Sequence, residues 1–342
     1  MPDLELVVAG AMLVSLIFYA LLGGADFGGG IWDLLSFGPR AQRQRDVIAK
    51  AIGPIWEANH VWLILVIVIM FTAFPPAYST ILTALFIPMT LFLVGIVFRG
   101  TAFVFRGYGG GGDEAQRRWG RVFAMASFFT PIFLGIVIGA ISSGRITVED
   151  GVVTSDFVDS WFHLFPFLVG GFAVALFAFL AAVYLTQELD DERELQEDFR
   201  RRALAAAVAV FVFAFGVLLL ADDEAEYLWD RLADSWWTWP LQIATGLAAI
   251  GASAAIWTRR YAIARVCAVA QVTLILAGWG FAMRPYLVVD DVRIDEAAAP
   301  DITLQLLLGA LALGSLLLFP SLFYLYRVFK GSEAFELIDR NR

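Results

Sequence analysis

The sequence predicts an all-α polytopic membrane protein with about nine transmembrane helices. Two observations carry this prediction. Of the 342 residues, 60% are hydrophobic and 17% are charged, and the mean hydropathy is +0.74. A soluble chain is about 45–50% apolar and about 25% charged, and one water-soluble core could not hide 30 Phe and 11 Trp side chains. Composition therefore excludes soluble enzymes, disordered chains and nucleic-acid binders.

Nine apolar runs are each long enough to cross about 30 Å of hydrocarbon at about 1.5 Å per residue. We expect two four-helix bundles and one peripheral helix. The first bundle would occupy 1–141, an outer loop 142–161, and the second bundle with the peripheral helix 162–342. The cores of the runs are 5–25, 52–74, 78–98, 122–141, 162–185, 203–221, 239–257, 262–283 and 303–326.

Asp3 and Glu5 stand where a signal peptide has basic residues, so we expect the first run to remain as a span. The charged connections then give an orientation. With the N-terminus outside, twenty of the 24 Lys and Arg fall in the inner segments. This bias predicts a bacterial plasma-membrane protein with a cytoplasmic C-terminus. The longest charge run, 187–202, reads as a solvated helical extension. The four outer residues are Arg145, Arg231, Arg284 and Arg293.

Three acids remain near the spans. Asp33 precedes Arg40 by seven residues and is expected at the interface. Asp26 and Glu57 lie deeper, on two adjacent antiparallel helices, and are predicted at one level in the inner half of the bilayer. Buried acids are costly unless paired, protonated or hydrated, and they usually mark proton or ion paths. We therefore favour a proton path over a chance structural pairing.

The sequence around Asp26 is rich in glycine, from Gly23 to Gly30. Gly24 and Gly28 form a G-x-x-x-G face, which lets a second helix backbone approach closely. No Lys followed by Ser or Thr comes after it, so this segment is not a phosphate-binding loop.

The second polar segment reads GPIWEANHVWL over 53–63. Glu57 and His60 are three residues apart and Trp56 and His60 four, so they share one helix face and the first pair can hydrogen-bond. Histidine titrates near neutral pH, and we favour a proton-path role for His60 over a structural one. Arg99, near the inner end of the third span, is expected either to snorkel or to pair with Asp26 or Glu57.

The chain has few ligands for a metal cofactor. Its two histidines, His60 and His163, are predicted at opposite membrane faces, so they cannot both bind one iron. His163 reads as an interfacial residue near an aromatic belt. The single Cys267 excludes an intrachain disulfide, a cysteine-ligated iron–sulfur cluster and a c-type haem motif. We therefore expect no haem and no metal in this chain.

These motifs carry a family resemblance. GGADFGGGIWDLL around Asp26 and AIGPIWEANHVWLI around Glu57 resemble the two signatures of subunit II of cytochrome bd-type quinol oxidases. The second motif is most similar to the cyanide-insensitive branch. Glu57 stands where the family commonly has Asp, and His60 where Gln or Glu also occurs. The detailed likeness covers the first hundred residues; beyond them the spans and loops agree.

The resemblance implies an electrogenic complex that reduces O₂ to water with electrons from a quinol. Two b-type haems and one d-type (or b-type) haem would lie in a larger subunit I. This chain would carry no haem, support assembly, and supply part of a proton path from the cytoplasm through Asp26 and Glu57. The resemblance also implies a gas channel or haem-site support at Trp56 and Trp62, a bound quinone or lipid, and a small accessory subunit.

Two alternatives belong to other classes of protein. Buried acids, glycine-rich breaks and prolines also occur in proton-coupled secondary transporters. The spans after residue 100 have essentially no charged residue in mid-membrane, which argues against a transporter. A purely structural assembly subunit is the other alternative. A reduced-minus-oxidised spectrum of the purified complex separates these readings.

Overall fold

A computed structural model describes residues 3–53, 55–108 and 112–330. Within these residues, nine helices are long and apolar enough to cross a membrane, which confirms the predicted fold class. Each predicted apolar core overlaps one of them. Pro54 of the second motif and the residues after 330, which include Arg340 and Arg342, lie outside the described residues.

The helices follow from long apolar stretches, because a backbone without water must satisfy its own hydrogen bonds. The long helices are α1 (Leu4–Leu34), α3 (Trp56–Ala73), α5 (Phe86–Tyr108), α6 (Gly112–Ser142), α7 (Leu164–Glu188), α8 (Arg193–Glu224), α10 (Thr238–Trp257), α11 (Tyr261–Met283) and α13 (Asp301–Lys330). Shorter helices connect them: α2 (Ala41–Ile52), α4 (Pro75–Ala84), α9 (Glu226–Ala233) and α12 (Ile294–Ala297).

Helix α1 lies at the centre of the chain, where it packs on α3, α6, α7 and α11. Helix α5 pairs with α6, α7 with α8, and α10 with α11. Helix α13 packs lightly on α1 and α3, and its 18-residue apolar stretch has no buried residue. We retain the division into two bundles around 142–161 as a proposal.

Two glycines of α1 allow close contact with α7. A Cβ on Gly28 would lie 1.9 Å from the backbone oxygen of Phe177, and one on Gly24 would lie 2.5 Å from the Phe177 ring. No L side chain fits such a gap, so the absence of a Cβ is what lets these helices approach. This approach holds the Asp26 turn of α1 against α7.

Two hairpins lie at the end of the molecule opposite the charge run. They are β1 (Val148–Glu149) with β2 (Val152–Val153), and β3 (Tyr286–Val288) with β4 (Val292–Arg293). The Asp291 carboxylate accepts the backbone N–H of Val148 at 2.8 Å, which joins the two loops. These hairpins have no signal in the sequence, because strands of two or three residues are too short to show an alternating pattern.

Candidate functional site

A chain of hydrogen bonds reaches Asp26 across three helices. The Asp26 side chain lies on α1 and the residue is only 4% exposed. The Asn59 amide on α3 donates from Nδ2 to Asp26 Oδ2 at 2.7 Å. The Tyr326 hydroxyl on α13 donates to Asn59 Oδ1, also at 2.7 Å. An N–H donor at this position supports the charged form of a buried carboxyl group.

Asp26 also lines a cleft with space for water of about 60 Å³. The cleft lies between α1, α2, α3, α7, α11 and α13, and this volume is enough for a few water molecules. Its other polar side chains are Asn59, Tyr184, Glu188, Arg265 and Tyr326.

The mouth of this cleft is at the end of the bundle that carries the basic connections. Glu188 is the last residue of α7 and begins the predicted charge run 187–202. Arg265 lies one turn into α11, with its guanidinium 4.9 Å from the centre of the Tyr184 ring.

A second group of buried polar side chains surrounds the Arg99 guanidinium. Arg99 on α5 is 1% exposed, and its guanidinium lies 4.6 Å from the centre of the Phe27 ring. Its Nε donates to Ser127 Oγ at 3.1 Å, and its Nη1 lies 3.2 Å from His60 Nε2. A guanidinium has no acceptor, so His60 Nε2 accepts this bond and the ring carries its proton on Nδ1. Arg99 also interacts electrostatically with Asp26, and its pairing with Asp26 or Glu57 stays a prediction.

Three polar atoms in this region are buried and have no hydrogen-bond partner among the described residues. They are Tyr19 Oη, His60 Nδ1 and Arg99 Nη2. The Tyr19 and His60 rings are neighbours, with centroids 5.9 Å apart. Buried polar groups that the protein leaves unsatisfied are usually bound by internal water. The cluster around Arg99 is therefore suited to hold water inside the first helices.

Glu57 lies on a different face of α3 from the one expected. It is exposed, whereas Asn59 is buried against Asp26. The predicted Glu57–His60 hydrogen bond is not among the described bonds, since His60 turns toward Arg99. Glu57 instead lies at the start of an exposed apolar stripe on α3, whose side chains follow one another at intervals of three or four residues. The stripe continues through Val61, Ile64, Val68 and Phe71.

The two candidate tryptophans are packed among other rings. Trp56 lies edge-on to His60 at 6.0 Å and against Phe103 at 5.4 Å. Trp62 is 4% exposed and stacks on Phe18 with centroids 4.4 Å apart. The gas-channel role of Trp56 and Trp62 stays a prediction.

Asp33 is held differently from Asp26. It is 3% exposed and forms ion pairs with Arg106 and Arg45, the second at 3.3 Å. Arg40, seven residues after Asp33, binds Asp198, at 2.7 and 2.8 Å. Two cations neutralise Asp33, so it is a structural anchor between α1, α2 and α5.

The histidines do not form a haem site. His60 Nε2 already faces a cation, and His163 lies next to Asp159 at 3.4 Å before α7 begins. In the part of the chain that the structure describes, no group of three His, Cys, Asp or Glu is placed to hold a metal ion. That this chain holds no haem stays a prediction.

Several members of the site had no signal in the sequence. Tyr326 and Tyr184 lie in predominantly apolar helices, and nothing in their spacing relates them to residues 26 or 59. Glu188 and Arg265 read as ordinary loop charges. Only the three-dimensional packing of α7, α11 and α13 brings these four side chains to Asp26.

The chain is similar to known proteins over nearly its whole length. A family model described as cytochrome bd terminal oxidase subunit II matches residues 4–329. The putative cytochrome bd menaquinol oxidase subunit II of Bacillus subtilis (strain 168) is 21% identical over 344 residues, with 97% of each chain covered. The cytochrome bd ubiquinol oxidase subunit 2 of the same organism is 30% identical over 223 residues, or 63% of this chain and 62% of that protein.

A solved structure has the same fold. The structure of bd oxidase from Geobacillus thermodenitrificans contains a chain with a TM-score of 0.75 and 22% sequence identity. The match covers 95% of this chain and 98% of that one. The helix order described above is therefore that of an experimentally determined fold.

Proposed function

This chain belongs to the cytochrome bd terminal oxidase subunit II family, and on that premise we propose that it serves as the haem-free subunit of a membrane complex that reduces O₂ to water with electrons from a quinol. Membership of this family favours a quinol oxidase subunit over a proton-coupled transporter. The partner is a larger subunit I, whose haem b and haem d (or b) groups supply electron transfer and O₂ binding. A small accessory subunit, membrane lipid and a quinone are further proposed partners.

We propose that the Asp26 cleft is the proton entrance of this chain. The proposal rests on one observation. The buried Asp26 carboxyl group accepts a hydrogen bond from Asn59 and lies at the wall of a cleft that Glu188 and Arg265 also line. A carboxyl group beside a water-filled space can exchange its proton with that water. The basic inner connections support a cytoplasmic mouth and an outer N-terminus in a bacterial plasma membrane.

Glu57 is the proposed point where protons leave toward the partner subunit. It lies at the end of an exposed apolar stripe on α3 that includes Val61 and Ile64. A carboxylate that faces hydrocarbon is unfavourable, and Glu57 lies in the first turn of α3. A polar surface on subunit I would remove this cost and would also cover the stripe. Helix α3 then contacts the entrance through Asn59 and the partner through Glu57.

The region between these two carboxyls contains His60 and Arg99. We propose that water bound by Tyr19, His60 and Arg99 continues the path, and that His60 stays neutral while it accepts the Arg99 bond. Trp62, packed on Phe18, is the proposed wall of a gas channel to the haem site.

Substitutions at Glu57 test this function. Glu57→Gln keeps the shape but cannot release a proton, so the complex should keep its haems yet turn over at least about tenfold more slowly. Glu57→Asp should retain much more activity, because the carboxyl group survives. His60→Gln should be milder than Glu57→Gln, because the glutamine oxygen can still accept from Arg99. Quinol-driven O₂ consumption, normalised to haem content, gives the order of the three variants.

The opposite order would refute the proposal. If Glu57 only makes structural hydrogen bonds, Gln should be nearly silent and Asp, one methylene shorter, should be the worse substitution. Preparations that lack haem bands and a second polypeptide would also exclude the oxidase function.

A further inference from the structure

We infer that Tyr326 is a positioning residue for Asp26, because its hydroxyl holds the Asn59 amide with the NH₂ group toward the carboxyl group. The inference deepens the proposed proton entrance and rests on it. The hydrogen-bond chain runs Tyr326 Oη to Asn59 Oδ1, and Asn59 Nδ2 to Asp26 Oδ2, with 2.7 Å for each step. Asp26 and Tyr326 are 300 residues apart in the sequence.

An amide has one accepting end and one donating end, so fixing one end fixes the other. With its oxygen held by Tyr326, Asn59 presents its donor to Asp26. Rotation of the amide would turn its oxygen toward the carboxylate and lose that bond. Asn59 is 1% exposed, so a water molecule that replaced the tyrosine would have to come from the cleft.

The position of Tyr326 on α13 makes this contact informative. In the described part of α13, the side-chain hydrogen bond that reaches another helix is the one from Tyr326. Helix α13 also makes an apolar contact with α3, in which the ring centroids of Phe319 and Trp62 lie 6.1 Å apart. Tyr324, two residues before Tyr326, is 70% exposed. The helix therefore carries one tyrosine directed inward and one directed away.

Other charged and titratable groups also face the Asp26 region. Arg99 of α5 and Tyr19 of α1 lie on one side, and Tyr184, Glu188 and Arg265 line the cleft from α7 and α11. These groups stay in place when only the Tyr326 hydroxyl is removed. A change caused by Tyr326→Phe can then be assigned to Asn59 and its bond to Asp26.

The experiment uses the complete complex with Tyr326→Phe, and Tyr324→Phe as the matched control. The first readout is the infrared band of the Asp26 carboxyl group, assigned by its loss in Asp26→Asn and followed against pH. Asn59 is then no longer fixed, so the position of the Asp26 band and its dependence on pH should both change. The pH profile of haem-normalised O₂ consumption should change as well. Tyr324→Phe should leave both readouts unchanged.

Two further variants separate positioning from simple undocking of α13. Phe319→Ala loosens the helix but keeps the hydroxyl, so it should not move the Asp26 band. Asn59→Leu should move it in the same direction as Tyr326→Phe, and the double variant should add little. If Tyr326→Phe has no more effect than Tyr324→Phe, or if Phe319→Ala reproduces the shift, the inference is overturned.

The proposed proton entrance fails independently of this inference. If Asp26→Asn leaves haem-normalised turnover unchanged, Asp26 is not on the proton path. The infrared titration still decides whether Tyr326 positions Asp26, because it reports on the carboxyl group itself and not on turnover.

Discussion

Replacement of Gly28 by alanine should separate α1 from α7. The new Cβ would lie 1.9 Å from the backbone oxygen of Phe177 and 2.7 Å from the Cβ of Ala181. A C···O contact needs roughly 3.2 Å, so the two helices must move apart by about 1.3 Å at this point. The colliding atom belongs to the backbone, so no rotamer change can relieve it. Overpacking of this kind costs about 1–3 kcal/mol, which exceeds the gain of about 1 kcal/mol from replacing glycine in a helix.

The assay is thermal stability of the purified complex, followed by loss of its haem absorbance. Gly10→Ala is the matched control, because Gly10 is on the same helix and a Cβ there meets nothing within 4 Å. We expect Gly28→Ala to melt several degrees lower than the unaltered complex and Gly10→Ala to melt no lower than it. Equal melting temperatures for the two variants would refute the argument that the glycine sets the α1–α7 distance.

Two further predictions concern haem and a buried ion pair. Expressed without its partner, the chain should show no stoichiometric Soret band, because His60 on α3 and His163 before α7 lie apart and cannot both bind one iron; stoichiometric haem would contradict this. Arg106→Gln should destabilise the complex by about 1–3 kcal/mol in thermal unfolding, since Asp33 then keeps only Arg45. Adding Asp33→Asn should recover part of that loss, and no recovery would show that the pair is not the cause.

Most of the fold could be predicted from hydropathy, because each span needs a long apolar run. The predicted core 78–98 differs in detail, since the chain bends at Leu85 between α4 and α5. The connection 36–50 also contains a helix, α2, whose residues Ile48 and Ile52 are buried under α1. Composition alone does not show that a charged connection will pack against the bundle.

The face of each helix was harder to predict than its existence. Helix α3 is apolar almost all round, so no polar side defines its rotation. Glu57 and Asn59 are two residues apart and point to opposite sides of the helix. The sequence predicts Glu57 opposite Asp26, whereas in the structure Asn59 lies next to Asp26. Asp26 itself could be found from sequence, because a carboxyl group in a glycine-rich span is unusual.

The peripheral helix α13 has a consequence for how the protein is made. A ribosome synthesises Tyr326 after every other residue of the Asp26 cluster, and α13 touches the bundle lightly. Early in biogenesis, α1 and α3 are already in the bilayer while Asn59 has no tyrosine to hold it. The hydrogen-bond chain closes only when the last span inserts and docks. In a nascent chain that stops before α13, the Asn59 amide next to Asp26 would therefore not be held by Tyr326.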